Sequence, residues 1–147
     1  MKTKHVYFYV LRTSSSTDVS NAIAYDVAAV NIGGAMDISS GKFTAPVKGR
    51  YFFAFDGLVE FTDTTVTGKC YIGLTINFAL VGQSAMLISP GAAGDWYQTI
   101  TYHGTFDLSP GDEVAMRLTS LTAARLHDDP SGTYTHFSGY LIEQDFS

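Results

Sequence analysis

The 147 residues carry nine Lys and Arg against fourteen Asp and Glu, a net charge of −5, with 46% hydrophobic and only 16% charged residues. The basic residues are scattered and form no stripe to neutralise phosphates, which excludes nucleic acid and an anionic membrane surface as partners. The length fits a single domain, residues 1–147, with its own core, and a surface this short of charge is expected to be covered in part by another subunit.

Ten Phe and nine Tyr are too many for a disordered chain. No run approaches the roughly 18 apolar residues of a membrane span, so no membrane insertion is expected. The one cysteine, Cys70, leaves neither a disulfide framework nor a Cys-based zinc site. Asn21, Asn31 and Asn77 all lack the hydroxyl residue that would make them glycosylation acceptors.

From the start of the chain, Met1 to Lys4 followed by residues 5–11 imitates a signal peptide. The apolar part is short, however, and Arg12, Thr13 and Ser14 follow it without a small-residue cleavage pattern, so it reads as a first strand. That strand is apolar on both faces. Residues 14–18, 33–34, 39–41 and 48–49 read as turns or loops. In residues 51–59, Tyr51, Phe53, Phe55 and Val59 share one face while Phe52, Ala54 and Leu58 share the other. A strand dry on both sides needs a second layer, here a neighbouring subunit, or else loops of its own chain.

After a loop at 62–68, residues 70–78 read as one strand with Cys70, Ile72, Leu74, Ile76 and Phe78 on one face. Residues 90–95 read as a loop. In residues 96–108, Trp96, Ile100, Tyr102, Phe106 and Leu108 oppose Thr99, Thr101, His103, Thr105 and Asp107. Ser109-Pro110-Gly111-Asp112 suits a type II turn, with proline setting φ and glycine accepting a positive φ. Beyond it Val114, Met116 and Leu118 oppose Ala115, Arg117 and Thr119, and residues 128–132 form a last loop. No stretch keeps a 3.6-residue period. The reading is an all-β, antiparallel two-sheet sandwich.

The run from Gly41 through Phe43, Ala45, Pro46, Gly49, Tyr51 and Phe53 resembles the signature of the globular C1q domain, G-x-F-x-A-P-x-x-G-x-Y-x-F. Asn31 and Gly33 fit that family's upstream N-x-G turn, with Asp37 nearby. Leu108, Gly111, Asp112 and Val114 fit its L-x-x-G-D-x-V turn, and Thr135, Phe137, Ser138, Gly139, Tyr140 and Leu141 fit its closing strand. The resemblance spans about residues 5–142. It implies a jelly roll of about ten strands, shared with tumour necrosis factor and assembled as a homotrimer. It further implies a secreted or cell-surface recognition module for carbohydrate, microbial-surface or protein ligands, of the kind used in innate immunity. The alternative within the same superfamily is a receptor-binding signalling or synapse-organising ligand. The chain holds no Gly-x-y repeat, so it resembles a globular head without a collagen stalk.

Catalysis is not indicated: no nucleophile elbow frames any Ser, and no zinc helix, phosphate loop or EF-hand pattern is present. Cys70, on an apolar strand face, reads as an inert core thiol. Two stretches are candidate ligand contacts. Asp95, Trp96 and Tyr97 place aromatics and an acid beside small residues, where an exposed ring can stack on a sugar; the plainer alternative packs Trp96 in the core. Asp128 and Asp129, in His127-Asp128-Asp129-Pro130, could contact a ligand or hold calcium, which takes 6–8 oxygen ligands, or could form a solvated turn. Some members that the chain resembles hold calcium near the threefold axis through Asp residues; this sequence offers only Asp63 and Asn77 in that region.

Overall fold

The computed structural model describes residues 3–91 and 96–147. Among these residues eleven strands form two sheets in which every pairing is antiparallel. The first contains β1 (Tyr7–Arg12), β2 (Val27–Ile32), β5 (Gly49–Phe61), β8 (Tyr97–Leu108), β10 (Ala124–His127) and β11 (Thr135–Gln144). The second runs β3 (Met36–Asp37), β4 (Lys42–Thr44), β9 (Glu113–Thr122), β6 (Gly68–Ile76) and β7 (Ala79–Ile88). This is the jelly roll that the resemblance implies.

The long β5 organises the first sheet. Along one side it pairs with all of β8, from Gly49 opposite Leu108 to Glu60 opposite Tyr97. Along the other it pairs first with β11 and then with β10, which occupies Leu58–Phe61. The period-two pattern decides what each face does. Tyr51, Phe53, Phe55, Val59 and Phe61 are buried between the sheets with Phe8, Phe43, Ile72, Leu74 and Phe137. The ring of Phe43 lies 5.3 Å from Phe8 and 5.4 Å from Phe53, and Phe8 meets Phe137 edge-on at 5.1 Å. Each such pair adds about 0.5–1.5 kcal/mol beyond the area buried. The hydroxyl of Tyr51 donates to the carbonyl of Val47 at 2.7 Å, so even the polar tip of this core aromatic is satisfied.

The signature residues have structural work throughout. Gly41 has φ +71°, and a Cβ there would stand 1.9 Å from the Ile23 carbonyl oxygen. Gly139 lets the rings of Phe8 and Phe53 approach β11, where a Cβ would sit 2.7 Å from each. The Asn31 amide donates to the Met36 carbonyl at 2.9 Å and closes the turn at Gly33. Asp112 accepts the Ser109 N–H at 2.8 Å, and Gly111 takes φ +90° as the type II reading requires. Pro46 stands exposed between β4 and β5, and Leu141 is packed against the core.

Two features differ from the sequence reading. Residues 70–78 are not one strand: β6 stops at Ile76, and Asn77 (φ 52°) and Phe78 (φ 70°) turn the chain into β7. Phe78 is therefore 72% exposed and not on the core face. Ala123, with φ 49°, breaks β9 from β10 and sends the chain across to the first sheet, which supplies the eleventh strand. The sequence leaves open whether a subunit or loops of the chain cover the outward face of the first sheet, and among the described residues loops do not bury it. Ile32, Tyr7, Tyr140 and Phe52 follow one another in register across four strands, and the first three are 51%, 38% and 45% exposed.

Candidate ligand-binding site

At the end of the sandwich where β5 finishes and β8 begins, the two stretches singled out in the sequence meet. The Phe61 N–H donates to the Trp96 carbonyl at 2.7 Å, fixing the entry to β8. Trp96 and Tyr97 are both about half exposed, so the core-packed alternative for Trp96 does not hold. The Tyr97 hydroxyl donates to Glu60 Oε2 at 3.0 Å, and Arg125 Nε donates to Glu60 Oε1. His127 lies between two carboxylates, its Nδ1 3.6 Å from Glu60 and its Nε2 3.9 Å from Asp129. Its ring meets Tyr97 edge-on at 5.4 Å and lies 5.9 Å from Tyr134. Asp95 lies outside the described residues.

The electrostatics follow from these contacts. Burial alone would raise the Glu60 carboxyl, but the hydrogen bonds from Arg125 and Tyr97 outweigh it and hold the group below its ordinary value. The same bond, seen from Tyr97, raises the phenol, because the neutral form is the donor. His127 Nδ1 is buried and makes no hydrogen bond among the described residues, so the imidazole is held by packing rather than by a full polar shell. The result is an exposed aromatic edge backed by an ionised acid and an arginine.

Asp128 and Asp129 part company. Asp128 is not the exposed acid the sequence suggests: it is 5% exposed, and its carboxylate faces inward. Oδ1 accepts the N–H of Asp129 at 2.9 Å and of Tyr134 at 3.3 Å, while Oδ2 accepts that of Thr135 at 2.8 Å. These bonds close the loop onto the start of β11 and engage both carboxylate oxygens. Asp129 is half-exposed, and its Oδ1 caps Ser131, whose backbone N–H bond chiefly holds the carboxyl below its usual range.

The residues do not suit calcium. Among the described residues, no group of three or more acids, His or Cys comes together as a metal shell. Asp63 caps Thr65 before β6, whereas Asn77 braces Asp112 beyond its far end, so the two cannot share one ion. Cys70 is fully buried, and burial pushes its thiol up to about 12, consistent with an inert core group. Glu60, Arg125 and Tyr134 were not singled out by sequence reasoning; the strand register, Glu60 opposite both Tyr97 and Arg125, brings in the first two, and the His127 ring brings in Tyr134.

The C1q domain family matches residues 7–142. The chain belongs to the C1q-domain family. It is 30% identical over 145 residues to zebrafish (Danio rerio) Caprin-2, covering 95% of this chain and 14% of that protein. It is 30% identical over 132 residues to mouse (Mus musculus) complement C1q tumor necrosis factor-related protein 3, covering 88% of this chain and 49% of that protein. The C1q-domain chain thus spans at most about half the length of these curated relatives. The globular domain of the zebrafish complement 1qA protein superposes with a TM-score of 0.68 at 18% identity, over 95% of this chain and 99% of that one. That last likeness establishes the fold. No helix among the described residues is long and apolar enough to cross a membrane.

Proposed function

We propose that this C1q-type domain is one subunit of a secreted homotrimeric recognition module, a binding protein and not an enzyme. Its copies join through the outward face of the first sheet. Its ligand, a carbohydrate, microbial surface or protein, is taken at the loop end around Trp96, Tyr97, Tyr134 and Asp129. The observation that carries the assembly is the open row of Ile32, Tyr7, Tyr140 and Phe52 on a chain with few charges to solvate it. Monomers seldom expose so continuous an apolar strip without a partner for it. The loop end supports the ligand reading because exposed rings on a braced base recognise with little loss of conformational freedom.

A second reading, a receptor-binding signalling or synapse-organising ligand, draws on the likeness to a C1q tumor necrosis factor-related protein. Such a ligand would dock its receptor in clefts between subunits over an interface of about 1,600 Å². A glycan array and a cell-surface pull-down with the same purified oligomer separate the two. Glycan binding that falls in Trp96→Ala supports the first reading; receptor capture indifferent to Trp96, with an empty array, replaces it with the second.

A further inference from the structure

The outer side of the second sheet carries a cleft of about 490 Å³ between the β1–β2 connection, the β3–β4 turn and strands β6 and β9. Phe78 stands at its rim, far from the loop end already described. Trp96 adjoins the start of β8, whereas Phe78 lies beside the turn that follows the end of β8, about 35 Å along the strand.

The turn that presents Phe78 is costly. A two-residue hairpin turn with positive φ at both positions ordinarily takes Asn-Gly, and a bulky aromatic in the left-handed region is a genuine outlier. The surroundings hold it in place. The Asn77 amide donates to Asp112 Oδ1 at 3.0 Å, its carbonyl oxygen accepts the Glu113 N–H at 2.9 Å, and its own N–H donates to the Glu113 carbonyl at 2.8 Å. Lys42 Nζ sits 4.5 Å from the Phe78 ring centroid. A strained, cross-braced turn that pushes a ring into water, where the ring packs against no core, is what a binding platform needs.

The cleft behind the ring is charged on balance at zero. Lys42 and Arg117 face Asp18 and Glu113 in it, and among the described residues none of the four is in an ion pair. Arg117 spends Nε and Nη2 on the Val19 carbonyl. Asp18 is kept ionised by hydrogen bonds from the Asn21 side chain and from the Ser20 and Asn21 amides. An anion would meet Asp18 and Glu113; a cation would meet Lys42 and Arg117. A neutral polyol satisfies both signs, because each hydroxyl donates to a carboxylate and accepts from a cation. A pyranose adds an apolar C–H face that lies on an aromatic ring.

We propose that this cleft is a second binding site, for a neutral saccharide, with Phe78 as its stacking platform and Lys42, Arg117, Asp18 and Glu113 as hydroxyl partners. The site is independent of the loop-end reading and stands if that reading fails.

The test titrates the isotope-labelled protein with methyl α-mannoside, methyl α-glucoside and methyl β-galactoside, with glucuronate and glucosamine as charged controls, and follows backbone amide shifts. At least one neutral glycoside is expected to shift Asn77, Phe78, Ser20 and Arg117 in saturable fashion. Phe78→Gly is expected to weaken that binding about tenfold, the scale of a lost stacking contact, while the melting temperature stays level or rises because glycine accepts the left-handed backbone. Phe78→Leu, which keeps apolar bulk without a ring face, should weaken it as well. The proposal is overturned if no neutral glycoside binds, if only a charged control binds, if shifts fall at Tyr97 and Tyr134 alone, or if both Phe78 variants bind as tightly as the parent.

Discussion

The carboxylate of Asp128 accepts the backbone N–H of Thr135, seven residues on, at 2.8 Å, and so ties the last loop to the first residue of β11. With the N–H groups of Asp129 and Tyr134 also on Asp128, this one side chain replaces the hydrogen bonds that the loop backbone lacks.

Asp128→Asn is therefore expected to destabilise the fold by about 1–3 kcal/mol, because its amide end turns a donor toward N–H groups that need acceptors. Asp129→Asn should leave the denaturation midpoint close to that of the parent, since that side chain is half-exposed and caps only Ser131. Urea unfolding of the two variants side by side checks this. Equal midpoints for both would show that the inward carboxylate is not holding the loop.

Cys70 sets an alkaline limit. Its thiol titrates near 9 when unfolded and is pushed up to about 12 by burial, so the folded state disfavours the thiolate. The sign follows from linkage: the stability is fully present below pH 9 and is lost as pH rises toward 12, by about 4 kcal/mol at most. Cys70→Ala should flatten that fall, leaving the alkaline sensitivity of buried Tyr25, whose phenol is also raised by burial. A thiol reagent should label the parent only after denaturant is added. Rapid labelling at neutral pH would reverse the assignment of faces in β6.

The sandwich was readable from the sequence because its instructions are local. Period two in residues 51–59 and 96–108 orients the strands, and Gly111 after Pro110 fixes a turn by chemistry alone. The β6–β7 hairpin was not readable, since Asn77-Phe78 lacks the glycine that signals such a turn and the strain is offset by contacts with Asp112 and Glu113. Nor could the sequence reveal that Glu60, Tyr97 and Arg125 share one spot. Their positions are set by register between strands far apart in the chain, and one sequence carries no record of that register. Asp128 looked like a ligand for the same reason: what its oxygens face depends on how the loop closes.

The outward row of the first sheet predicts the oligomer. Light scattering at micromolar concentration should give three times the 15.9 kDa chain mass. Tyr140→Asp places a charge in the row where the lone chain is 45% exposed, so it should yield monomers that keep the parent circular dichroism. A parent protein that is monomeric and folded at these concentrations would remove the argument for a subunit partner.

At the loop end, the exposed indole of Trp96 and the braced Tyr97 should carry ligand affinity, while calcium should not. Trp96→Ala is expected to cost about 2 kcal/mol of binding, the scale of an aromatic hot spot, or roughly thirtyfold in Kd. Tyr97→Phe keeps the ring but releases Glu60 Oε2, so it should cost less than Trp96→Ala and make binding more sensitive to acid. That sign follows because Glu60 then loses one of the two hydrogen bonds that hold its carboxyl down, and it protonates at a higher pH than in the parent. A chelator should change neither affinity nor melting temperature, since both Asp128 oxygens already hold N–H groups and Asp129 joins no group of three or more metal-ligating side chains among the described residues. A resident calcium ion at about 100 Kd would instead add roughly 2.7 kcal/mol, a loss that a melting curve with chelator would register as a clear downward step. Titrating the glycan or receptor found by the array or pull-down against parent, Trp96→Ala and Tyr97→Phe, with and without chelator, decides all three points. Unchanged affinity in both variants would move the binding surface away from this end of the sandwich.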